Sequence, residues 1–128
     1  MYNRDEVIKM NIEKVRQYFL NKQGACEERP FNVHVPVFKV GGKMFGLINI
    51  HEPDRVSINL KHHKEKNDLL REVFDEIKPG YHMNKQHWNT VYLDGNLEDE
   101  FVRELIDISY EIVFKSLTKK KQKEILGE

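Results

Sequence analysis

Two adjacent glycines, Gly41 and Gly42, stand between two runs rich in strand-forming residues, VHVPVFKV (33–40) and KMFGLINIH (43–51). Glycine adopts positive φ at no steric cost, and a two-residue turn of that kind joins antiparallel strands. The first half of the chain is thereby committed to a hairpin. Pro36 cannot donate to a ladder, so the first run is expected at a sheet edge or to carry a bulge. A second turn, Glu52-Pro53-Asp54, leads into RVSINLK (55–61). There Val56, Ile58 and Leu60 point one way, and Arg55, Ser57, Asn59 and Lys61 point the other. The expected result is a three-stranded meander with one buried face and one face of polar and basic groups.

Helical periodicity flanks this meander. Ile8, Ile12, Val15 and Phe19 share one face of a helix over 4–21, which Gly24 stops. Residues 64–77 give a second helix with a stripe of Leu69, Leu70, Val73, Phe74 and Ile77, ended by Pro79-Gly80. His82 to His87 is a loop or a single helical turn. Residues 88–93 alternate as a strand, with Trp88, Thr90 and Tyr92 on one side, expected against a helix. A last helix runs over 97–117, capped by Asn96, with Glu98, Asp99 and Glu100 at the positive end of its dipole. Its core stripe is Phe101, Leu105, Ile108 and Ile112. Residues 119–128 read as a charged tail. The order α-β-β-β-α-β-α defines an α+β fold, an antiparallel sheet packed by helices. At 128 residues the chain is expected to be a single domain, 1–128.

Composition bounds the function. Twenty-one basic residues balance 21 acidic ones, which counts against a constitutive, tight nucleic-acid binder but leaves room for a local basic face. The single cysteine, Cys26, cannot form an internal disulfide and fits a reducing compartment. The N-terminus lacks the apolar core of a signal peptide, and no apolar run reaches the roughly 18 residues of a membrane helix. A soluble cytoplasmic protein is expected.

Chemistry-bearing side chains concentrate in KPGYHMNKQHWNTVYLDG (78–95). His82 and His87 are five apart, about 140° around a helix and on opposite faces of a strand, so neither geometry chelates one ion. His62 and His63 diverge for the same reason. No metal site is expected. Glu27 and Glu28 beside Cys26 would raise its thiol pKa, and no nucleophile elbow, phosphate loop or dinucleotide fingerprint occurs. No catalytic residue and no cofactor is therefore expected. Lys61, His62, His63, Lys64 and Lys66 form a basic segment opposed only by Glu65. Lys78, His82, Lys85 and His87 add to it if the two segments meet. Asn84 could read a base edge, and Tyr81 or Trp88 could stack on a base.

The run His-Met-Asn-Lys-Gln-His-Trp-Asn-Thr-Val (82–91), followed by a short turn and a long helix, resembles the signature of the bacterial MmcQ/YjbR family. Leu105, Asp107, Ser109 and Tyr110 continue the likeness as L-x-D-x-S-Y. Glu28-Arg29-Pro30-Phe31 and Lys43-Met44-Phe45 also look like family features. The resemblance implies a small α+β domain similar to the double-wing DNA-binding domain of a phage transcription factor, and more distantly to the frataxin-like fold. It implies no enzyme activity; DNA binding comes from the fold likeness alone. Some members carry a basic residue at the position of Tyr81, so the grip here is less positive.

Two readings follow. In the first, the chain is a non-enzymatic nucleic-acid-binding module that contacts DNA, weakly and salt-dependently, through Arg55, Asn59, Lys61, His62, Lys64, His82, Asn84, Lys85, His87 and Trp88. In the alternative, it binds a protein or a small ligand and has no nucleic-acid role. An enzyme using His82 or His87 as a general base is a third, lesser reading, with nothing in the sequence to orient the base. Within the loop, His82, Asn84, Lys85 and His87 either cap local turns or form a surface site.

Overall fold

A computed structural model describes the backbone over residues 4–52 and 55–128, and the side chains over 12–49 and 55–128. Ile8 of the expected first stripe and most of the turn at 52–54 lie outside these. Among the described residues ten elements follow one another: α1 (Arg4–Leu20), β1 (Ala25–Glu28), β2 (Val37–Val40), β3 (Lys43–Glu52), β4 (Arg55–Lys61), α2 (Lys64–Val73), β5 (Ile77–Pro79), β6 (Trp88–Tyr92), α3 (Asp99–Ser116) and α4 (Lys119–Leu126). The strands form one antiparallel sheet in the order β1-β2-β3-β4-β6-β5. The fold is α+β, as expected, and the meander β2-β3-β4 stands at its centre. Gly41 and Gly42 both take positive φ, 57° and 84°, at the hairpin tip.

Several elements correct the sequence reading. β1 and β5 are additional strands, and β1 covers β2, so β2 is interior rather than an edge. Pro36 sits just before β2, where it needs no donor, and the strand begins at Val37, leaving Val33 exposed. A bulge occurs in the partner strand instead. Phe38 pairs with Gly46 but Lys39 pairs with Met44, so β3 carries one extra residue, Phe45. α2 ends at Val73, and Ile77 belongs to β5. α3 starts after Glu98, not Asn96, and no side chain caps it. The charged residues 119–126 form α4, capped by Thr118.

One sheet face holds the main core. Phe38, Ile48, Val56, Ile58, Leu60, Ile77 and Val91 lie on it, against Val102, Leu105, Ile106, Tyr110 and Val113 of α3. The buried stripe of α3 is thus rotated from the expected one, with Phe101, Ile108 and Ile112 only half-buried. Phe19 of α1 reaches the same face and stacks on Phe38, ring centroids 4.3 Å apart. Gly46 makes this approach possible: a Cβ there would stand 2.2 Å from the Phe19 ring.

The L-x-D-x-S-Y run of α3 ties the layers together. Leu105 is core, the Tyr110 hydroxyl donates to Gln23 O at 2.6 Å, and Asp107 accepts from the Tyr18 hydroxyl at 2.7 Å and pairs with Lys22. Burial works against the Lys22 charge, but the hydrogen bond and attraction of Asp107 outweigh it and raise its pKa. Ser109 serves the bulge. Its hydroxyl accepts from Lys61 N at 2.8 Å and donates to Phe45 O at 2.6 Å, bridging β4 and β3 just beyond their paired residues Gly46 and Leu60. Removing that hydroxyl strands two main-chain groups in a dry layer. Ser109→Ala is expected to cost about 1–3 kcal/mol in denaturant-induced unfolding; wild-type stability would show that the bridge contributes nothing.

Candidate functional site

The second sheet face is polar, and it is buried. Cross-strand neighbours Leu47, Asn59 and Thr90 form one row on it, and Asn49, Ser57 and Tyr92 form the next. Trp88, Thr90 and Tyr92 therefore share a side, but the side away from the helices; Asn89 and Val91 face the helices instead. Asn59 is 1 % exposed. Its carbonyl accepts from Asn49 Nδ2 at 2.9 Å and from Thr90 Oγ1 at 2.7 Å, and its Nδ2 donates to Tyr81 O at 3.3 Å. Thr90 Oγ1 in turn accepts from Tyr81 N at 2.9 Å. The polar row thus holds both main-chain groups of Tyr81, the residue that opens the 81–87 loop.

A second network holds the far side of the loop, from α2. Asn67 Nδ2 donates to Gln86 O at 2.7 Å, and Asn67 Oδ1 accepts from Asn89 Nδ2 at 2.8 Å. Arg71, one turn on, donates to Asn89 Oδ1 at 2.8 Å, to Lys85 O at 2.5 Å and to Trp88 O at 3.2 Å. The inward face of α2 is therefore Asn67, Leu70 and Arg71, continued by Phe74 just after it. Leu69 and Val73, placed in the core stripe by periodicity, are 64 % and 60 % exposed. Asn67, Arg71 and Asn89 were not among the residues singled out from the sequence. Their signal was present as an i, i+4 polar pair interrupting an apolar stripe, which places both side chains on one helix face.

The two segments that sequence inspection could only list side by side do meet. His62 N donates to His87 O at 2.9 Å, and Lys61 pairs across the ladder with Trp88. The Lys61 ammonium lies 6.0 Å from the centroid of the Trp88 ring, itself 9 % exposed. His62 is buried where β4 turns into α2, and burial pushes its imidazole below the usual histidine range. Its Nδ1 accepts from His63 N at 2.8 Å, which requires that nitrogen to be unprotonated. Asn84 turns the loop by accepting from Gln86 N at 2.9 Å, and Lys85 Nζ donates to Gly80 O at 3.1 Å.

What the loop leaves exposed is Tyr81, His82, Asn84, Lys85 and Gln86, with His87 half-buried. His82 has φ 58°, the one non-glycine residue at positive φ among the described residues. Its ring lies 4.0 Å from that of Tyr81, which is 53 % exposed. Lys64, the first residue of α2, is exposed two positions after His62, whose N–H holds His87 O. Among the described residues no carboxylate is within ion-pair distance of Lys61, Lys64 or Lys85. Arg55 is elsewhere: it sits at the opposite end of β4, paired with Asp94 at 2.9 Å and lying over the Tyr92 ring. Among the described residues no three His, Cys, Asp or Glu side chains are grouped to hold one ion.

A six-stranded antiparallel sheet with helices on one face, and a doubly clamped loop crossing the other, define a small α+β domain whose most chemically loaded loop is built into the scaffold. The chain belongs to the YjbR family, whose model matches residues 20–112. It is 38 % identical over 96 residues to the uncharacterized protein YbdF of Escherichia coli O157:H7, covering 75 % of this chain and 78 % of that one. It is 34 % identical over 114 residues to the uncharacterized protein YjbR of Escherichia coli K12, covering 89 % and 96 %. A crystal structure of a Deinococcus radiodurans protein with a DUF419 domain is similar at TM-score 0.81 and 35 % identity, over 89 % of this chain and 86 % of that one. A Pseudomonas syringae protein is similar at TM-score 0.69 and 27 % identity, over 79 % and 97 %.

The clamps make a local prediction. Hydrogen bonds from a charged group contribute about 1.5–3 kcal/mol each, so losing them should raise the population of the opened loop tenfold or more. Arg71→Met is expected to speed amide exchange at Gly80 and Trp88 by at least about tenfold while β3 and β4 amides keep their protection. Unchanged exchange at Gly80 and Trp88 would show that Arg71 does not hold the loop.

Proposed function

We infer that this chain is a non-enzymatic nucleic-acid-binding module, acting through the corner where β4, α2 and the 81–87 loop meet. The observation that carries the reading is that the β4–α2 junction, with Lys61 and Lys64, meets the 81–87 loop, with Lys85 and the exposed Tyr81–His82 pair, through the Lys61–Trp88 pairing and the His62–His87 bond; none of the three lysines has a carboxylate partner among the described residues. Phosphates are held by cations that position the strand without reading its sequence. Tyr81 and His82 supply a stacking surface, which any base can use. Trp88 is too buried for that role and supports Lys61 from below. Asn59 and His62 act from inside, by holding Tyr81 and His87, and Arg55 lies outside the contact area. A nucleic-acid partner places the protein in the cytoplasm, where Cys26 stays reduced.

A second reading is supported by one observation, a groove of about 630 Å³ between α1 and α3. Val15, Tyr18, Leu93, Leu97, Val102 and Ile106 line its floor, and Lys14 and Arg103 stand among its polar residues. Such a mostly apolar concavity suits a small ligand.

Titration of labelled single- and double-stranded DNA at two salt concentrations separates the readings. Wild type is expected to bind weakly and to lose affinity as salt rises. Lys61/Lys64/Lys85→Ala is expected to reduce the slope of log K against log salt by about two to three. Tyr81→Ala should weaken the single strand more than the duplex, by about 1–3 kcal/mol if one base stacks there. Folded wild-type protein that binds neither DNA at low salt, or binds with no salt dependence, contradicts the reading.

A further inference from the structure

The neutral composition conceals a separation of charge along the strand direction. The registers fix which connections share an end of the sheet. One end carries the α1–β1 turn, the Gly41-Gly42 hairpin, the β4–α2 junction, the β5–β6 loop and the exit of α3. The other end carries the β1–β2, α2–β5 and β6–α3 connections. The acids Asp75, Glu76, Asp94, Glu98 and Asp99 are at that second end, outnumbering the cations Arg29 and Arg55 there, of which Arg55 pairs with Asp94. At the first end, besides Lys61, Lys64 and Lys85, the chain places Lys43 at the hairpin and the four exposed lysines of α4, against the acids Glu65, Glu124 and Glu128.

α4 is docked at this end and not trailing from it. Its Ile125 packs over Gly24 of the α1–β1 turn, and Gln23 Nε2 donates to Ile125 O at 3.2 Å. Leu117, just before it, covers Gly41, and Gln122 Nε2 donates to Leu117 O at 2.9 Å. Lys119, Lys120 and Lys123 are left facing solvent, with no carboxylate at ion-pair distance among the described residues; Lys121 pairs with Glu124. Folding does not ask for this arrangement. Lysines in the first turn of a helix oppose its dipole, and Lys119 to Lys121 occupy that turn. α3 obeys the rule instead, with Asp99 and Glu100 first and Lys115 last.

We propose that α4 is a second phosphate-binding element, so that one nucleic-acid backbone runs along the strand ends from the 81–87 loop, past Lys61 and Lys43, to Lys119, Lys120 and Lys123. The proposal rests on the nucleic-acid reading given above and extends its footprint. The path crosses from β6 to β1, four strand spacings or about 20 Å, longer than one loop can cover. The acidic opposite end repels the same polyanion and orients the encounter.

The test uses the full chain, fluorescence anisotropy, a labelled 20-nucleotide oligothymidine and a labelled 20-base-pair duplex, over a salt series. Lys119→Gln/Lys120→Gln/Lys123→Gln keeps the helix propensity of α4. It is expected to weaken binding at least tenfold at low salt and to lower the salt slope by about two to three. Arg29→Gln, which removes an exposed cation at the opposite end of the sheet, is expected to bind like wild type. If the α4 variant keeps wild-type affinity and slope while a Lys61/Lys64/Lys85 variant is weakened, the α4 proposal is wrong and the functional reading stands. If wild type binds neither probe, both fall. Equal weakening by Arg29→Gln, or tighter binding to anionic vesicles than to either probe, would overturn the proposal in favour of non-specific attraction or a membrane partner.

Discussion

A carboxamide with no access to water must find its partners inside the protein, and Asn59 is such a group, in the middle strand of the second sheet face. It finds them in Asn49, Thr90 and the carbonyl of Tyr81. A buried amide left unpaired costs on the order of 1–3 kcal/mol, so the loop that brings Tyr81 is required by the sheet as much as the sheet is required by the loop. Asn67, Arg71 and Asn89 repeat the device from the helix side, on the carbonyls of Lys85, Gln86 and Trp88. Between the two clamps the loop has little freedom left, and His82 stays at positive φ.

This arrangement separates residues that build the site from residues that can use it. Asn59, His62 and Trp88 build it. Tyr81, His82, Lys64 and Lys85 are displayed by it, with Lys61 half-buried between the two groups. A motif dense in histidine, asparagine and lysine is thus accounted for in part by the architecture of the loop. Some of its polar atoms serve the backbone, as in the turn made by Asn84 and the bond from Lys85 to Gly80. The exposed remainder is cationic and aromatic, a combination that suits a phosphate backbone carrying bases.

The α+β class, the central meander and the Gly41-Gly42 hairpin were legible because turn chemistry and period-two alternation act locally. β1 and β5 were not, because four and three residues are too short to show a period, and only pairing with β2 and β6 makes them strands. The α2 stripe misled for a physical reason: Leu69 and Val73 fit an apolar period, yet the neighbouring β6 offers Asn89, and polar partners won the inward face. The loop was legible as a cluster but not as a structure, since its clamps come from residues up to 22 positions away in sequence. Charge segregation was invisible to composition, because it depends on which turns share an end of the sheet.

The most direct measurement is a map of backbone amide shifts on the folded, isotope-labelled chain as a short oligothymidine is added. The account predicts changes confined to one end of the sheet, at Lys43, Lys61 to Lys64, Tyr81 to His87 and α4, with Asp94 to Glu100 unmoved. Changes centred on the opposite end, or on the groove between α1 and α3, would contradict it.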